Sequence, residues 1–63
     1  MDREQLINDK IELETKLDVL HAEILSEQFA SLPDAEQGRM VLQFKLMECY
    51  AAVLEQRIAA VET

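Results

Sequence analysis

One proline and one glycine occur in this 63-residue chain, at Pro33 and Gly38, five positions apart near its middle. Every other backbone unit carries a Cβ and, Pro33 apart, an amide N–H, so nothing outside that short stretch breaks a helix on conformational grounds. Proline disfavours helical geometry at the preceding Leu32 but suits the first turn of a new helix. The spacing therefore predicts a helix over residues 2–28, a turn over 29–32 and a second helix over 33–61. Asp34 and Glu36 fall where the positive end of the second helix dipole favours acids. The expected fold is all-α: an antiparallel two-helix hairpin forming a single domain, 1–63.

Apolar residues in the first helix recur at steps of three and four and fall into two neighbouring stripes. One carries Leu6, Leu13, Leu17, Leu20 and Ile24; the other carries Ile7, Ile11, Leu25 and Phe29. In the second helix Met40, Met47, Leu54 and Val61 repeat every seven residues, while Leu42, Leu46, Val53 and Ile58 broaden the arc. Folding back about residues 30 and 31 sets Leu20 near 40–42, Leu17 near Phe44, Leu13 near 47–49, and Leu6 or Ile7 near Leu54. Two helices cover only one stripe on each other, whereas both helices here present wider arcs. No disulfide is available as a staple, because Cys49 is the sole cysteine.

Self-association follows as the expectation, with a two-fold dimer forming a four-helix bundle favoured over higher helical oligomers. The hairpin core is assigned to Leu13, Leu17, Leu20, Leu46 and Val53. The oligomer interface is assigned to Ile7, Ile11, Leu25, Phe29, Met40, Met47, Leu54 and Val61.

Thirteen acids against six bases give a net charge of −7, which disfavours direct nucleic-acid binding, and the bases do not cluster. No run of apolar residues approaches membrane-spanning length, and Met1-Asp2-Arg3-Glu4-Gln5 has no secretory character, so a cytoplasmic location is expected. No phosphate loop, nucleophile elbow or zinc-protease motif is present, and a single histidine, His21, excludes most histidine-based metal sites. Cys49 has no adjacent activating base and reads as a small apolar residue. Glu14 and Asp18 would need ligands from another chain to hold a divalent ion. The expectation is a non-enzymatic protein without cofactor or metal.

Gln43, Tyr50 and Arg57 form a polar-tipped line inside the second apolar arc, with Arg39 beside it. A guanidinium in an apolar seam pairs or reaches water, and Glu4 is the candidate partner for Arg57. Arg39, Tyr50 and Arg57 are also the candidate ligand residues, the ring stacking on a base and the guanidinium groups holding phosphate. Glu12, Glu23 and Glu27, on the acidic outer surface, are the candidate partner-binding residues.

Phe29-Ala30-Ser31-Leu32-Pro33-Asp34-Ala35-Glu36-Gln37, followed by Gln43, Met47, Tyr50, Leu54 and Arg57-Ile58, resembles a pattern in small uncharacterised proteins of tailed phages and prophages. The likeness covers about thirty residues and departs at Gly38-Arg39-Met40, where those proteins often carry leucines. It implies a phage accessory protein acting in the host bacterial cytoplasm, binding a host protein or countering host defence. The leading expectation is thus an oligomeric interaction protein that occludes a host protein. The alternative is an oligomeric sponge that binds a small nucleotide signal at the subunit seam.

Overall fold

The computed structural model describes residues 2–62, and side chains from 2 to 61; the two ends of the expected domain, Met1 and Thr63, lie outside the described residues. Among the described residues three helices follow one another: α1 over Arg3–Ile24, α2 over Glu27–Ala30 and α3 over Asp34–Glu62. The long ones, α1 and α3, pack against each other as a hairpin measuring 47 × 16 × 14 Å. The length is that of α3 itself, about 44 Å at the 1.5 Å helical rise.

Each helix begins on a residue suited to the task. Asp2 caps α1, its Oδ1 accepting the Gln5 N–H at 2.9 Å. The expected single helix to residue 28 instead ends at Ile24, because Ser26 leaves helical geometry and starts α2. Its hydroxyl donates to the Glu23 carbonyl at 2.6 Å and accepts the Phe29 N–H at 3.4 Å, so one side chain both closes α1 and opens α2. Ser31 ends α2 by donating to the Gln28 carbonyl at 2.8 Å. The Pro33 carbonyl then accepts the N–H groups of Glu36 and Gln37 at 2.9 and 3.0 Å as α3 begins. Gln37 reaches back across the turn, its Nε2 donating to the Leu32 carbonyl at 3.0 Å and the Ala30 carbonyl at 3.4 Å. Carbonyls left over at the end of α2 are thereby satisfied by the helix that follows.

Leu6, Leu13 and Leu54 form the core, with Leu17, Met47, Ala51 and Ile58 packed around them; Leu20 is buried nearer the turn. Leu13, Leu17 and Leu20 thus lie where the α1 periodicity puts them. On α3 the inward row is Met47, Ala51, Leu54 and Ile58. Leu46 and Val53, expected in that core, lie on the open side of α3, with Leu46 61% exposed. Leu54, expected at an oligomer interface, has no exposed surface at all. The helix is turned by about one residue, or about 100°, from the expected phase. Ala51 is the one small residue of that row, packed between the larger Met47, Leu54 and Ile58.

Candidate functional site

The turn of α3 that buries Leu54 leaves a second row uncovered. Leu42, Leu46 and Val53 are large apolar residues open to solvent, and Cys49 between them is also exposed. Arg39, Leu42, Gln43, Leu46, Met47 and Tyr50 border a shallow hollow of about 390 Å³ on this side. Its floor is aliphatic; its rim offers one guanidinium, one amide and one phenol. Arg39 is steadied by Glu36, whose Oε1 accepts from Nε at 2.8 Å, an arrangement that directs the planar group without occupying its terminal nitrogens. The structure therefore brings together two of the three expected ligand residues, Arg39 and Tyr50, and adds Gln43. Arg57 lies farther along α3, about 10 Å beyond Tyr50 by helical rise, and stands exposed. Its side chain pairs neither with Glu4 nor with any other described residue.

The α1 edge beside this hollow is charged. Asp9, Glu12 and Lys16 meet Tyr50 and Leu13 around a smaller depression of about 240 Å³. Glu12 and Glu23 are exposed along the same edge, whereas Glu27 stands apart on α2. The three candidate partner-binding acids thus do not form one continuous helical face. Lys10 and Glu14 form an i,i+4 pair at 3.8 Å on the opposite edge; the i,i+4 pair expected between Glu12 and Lys16 is not among the ion pairs of the described residues.

Ile11, Leu25 and Val61 are exposed, while Ile7, Phe29, Met40 and Met47 are half-buried. Phe29 and Met40 line a further hollow of about 590 Å³ at the turn, together with Val19, Ala22 and Leu32. This hollow exists because α1 stops early and α2 folds across its end, and the periodicity of the chain gave no sign of it. The signal was Ser26 followed by Glu27, an N-cap pattern hidden inside an otherwise helical run. His21 stacks on Phe44 across the hairpin, ring centroids 5.4 Å apart and planes inclined by 26°. Among the described residues no three His, Cys, Asp or Glu side chains converge as metal ligands, and no helix is long and apolar enough to cross a membrane.

No curated protein and no solved structure matches the chain. One protein family does, over residues 2–60, a span that includes α1, the turn and nearly all of α3. On this match the chain belongs to the Sequestin family.

Proposed function

We propose that this protein is a non-enzymatic binding protein that assembles with itself and withholds a small nucleotide-type ligand at the seam between subunits. The observation that carries this reading is the hollow on the open side of α3, where Arg39, Gln43 and Tyr50 border an aliphatic floor. A guanidinium suits a phosphate, a phenol ring suits the face of a base, and an amide suits a base edge. The volume, about 390 Å³, falls within the usual range for small-molecule sites. A family named for sequestration accords with a protein that acts by holding something rather than changing it.

Melting the protein with a panel of cyclic dinucleotides tests the proposal. A ligand at about 100 times its Kd stabilises the folded state by about 2.7 kcal/mol, or roughly 10 °C or more in a chain this small. Arg39→Ala and Tyr50→Ala should abolish that shift while leaving the helical circular dichroism of the unliganded protein unchanged, since both side chains are exposed within the chain. Absence of any shift at millimolar concentration refutes the nucleotide reading.

A second reading draws on the exposed Glu12 and Glu23 beside the same face and on the net charge of −7. In it a phage-encoded protein occludes a basic surface of a host protein in the bacterial cytoplasm, the charges steering encounter. Charge reversal at Glu12, Glu23 and Glu27 would then abolish capture of that partner. Capture that survives the reversals removes this reading.

A further inference from the structure

The uncovered side of α3 has an internal order that a ligand hollow alone does not require. Arg39, Leu42, Leu46, Cys49, Val53 and Gln56 recur at alternating steps of three and four, the spacing of a coiled-coil seam, and all six are exposed. Along one border of this seam stand Glu36, Gln43, Tyr50 and Arg57, each seven residues from the next. The row that meets α1 lies about 140° farther round the helix, so a partner on the seam would not displace α1.

Charge decides what fits. A second α3 running parallel and in register would set Arg39 against its own copy in the seam. Run antiparallel, with Leu46 opposite the partner's Cys49, the same helices give a different result. Leu42 meets the partner's Val53, and Arg39 meets the partner's Gln56. In antiparallel coiled coils the border positions face their own kind across the seam, so Glu36 comes to the partner's Arg57 and Gln43 to the partner's Tyr50. Each of these pairings occurs twice by symmetry. This register also places the two-fold axis at the middle of Asp34–Glu62, which lets the whole helix overlap its copy. Arg57, whose side chain has no partner among the described residues, finds one; Glu36, already bonded to Arg39 through Oε1, can accept a second guanidinium.

We infer that α3 is a self-recognition helix that binds α3 of a second copy antiparallel, with Glu36 and Arg57 as the reciprocal pair that sets register and direction. The inference rests on the self-assembly proposed above and deepens it. With α1 set to the same side as Gln43 and Tyr50 in each subunit, pairing leaves a trough over the two-fold axis. Both copies of Tyr50 lie along its floor, and the acidic edges of the two α1 helices, with Asp9 and Glu12, form its walls.

The test uses two variants of the full chain, Glu36→Arg and Arg57→Glu, by sedimentation at several concentrations. Each variant alone brings like charges together at both ends of the seam, and its dimer Kd should rise roughly tenfold or more. An equimolar mixture of the two pairs opposite charges at both ends, so a heterodimer should form with a Kd close to that of the unmodified chain. Parallel pairing cannot give this rescue, because residues 36 and 57 are then about 31 Å apart. Variants that dimerise as well as the unmodified chain, or a mixture that associates no better than its components, overturn the inference while leaving self-assembly intact. An unmodified chain that stays monomeric at high concentration overturns both. Should either variant lose helicity, Leu46→Cys decides. Mild oxidation should link the new thiol to the partner's Cys49 as a covalent dimer, and failure to link under conditions that oxidise a free thiol refutes the register.

Discussion

Truncating Leu54 to alanine removes the most enclosed side chain of the hairpin. Leu54 has no exposed surface and shares its cluster with Leu6, 1% exposed, and Leu13, 9% exposed. Deleting three buried carbons costs about 2.4 kcal/mol in transfer alone at about 0.8 kcal/mol per group. A residual cavity adds to this, although a molecule only 16 Å by 14 Å across offers neighbours room to close in. The expected loss is about 2.5–4 kcal/mol, within the range for leucine-to-alanine changes in cores. In a chain of this size that lowers the melting temperature by roughly 10–30 °C. Leu25→Ala is the control: the same atoms are removed from a side chain already 72% exposed, and the change should stay within about 0.5 kcal/mol. Urea unfolding followed by circular dichroism, with both variants at one protein concentration, measures the difference. A loss below about 1 kcal/mol for Leu54→Ala, or an equal loss for Leu25→Ala, would show that α3 presents a different row to α1.

Further substitutions probe the backbone. Gly38 sits in the first turns of α3 with nothing within 4 Å of where a Cβ would stand, so Gly38→Ala should stabilise the chain by about 0.5–1 kcal/mol, seen as a higher urea midpoint. Gln37→Ala leaves the Ala30 and Leu32 carbonyls without their side-chain donor and should cost about 0.5–1.5 kcal/mol, with faster amide exchange around residues 30–37. Asp2→Ala removes the cap of α1 and should cost about 1 kcal/mol, with exchange at the Gln5 amide rising first. Cys49 should react with a thiol reagent at the rate of an open thiol in dilute solution and more slowly as concentration rises, because the inferred seam covers it.

Much of the architecture can be read from the residues themselves. Pro33 marks the reversal, Asp34 and Glu36 mark the start of α3, and the leucines at 6, 13 and 20 mark the inward face of α1 by their seven-residue spacing. On α3 the pattern is ambiguous for a physical reason: Leu42, Leu46 and Val53 alternate with Met40, Met47 and Leu54, and both rows are apolar enough to be buried. Hydrophobicity cannot choose between them. The inward row carries the small Ala51 between larger residues, and Gln37 ties the start of α3 to the turn through the Leu32 carbonyl. The break at Leu25 is hidden in a similar way, since Leu25 and Phe29 continue the helical spacing while Ser26 supplies a competing set of hydrogen bonds. At the candidate site, Arg39 and Tyr50 are grouped by their common side of α3, whereas Arg57 shares their line but stands too far along it to share their hollow.

The two apolar rows of α3 have no residue in common. Mutations in the outward row can accumulate, or be selected, without disturbing the residues that keep the chain upright against α1, and changes in the inward row leave the presented surface as it was. A lineage built on this helix is free to alter what it grips while its posture stays fixed, an economy of parts that a chain of 63 residues has few other ways to reach.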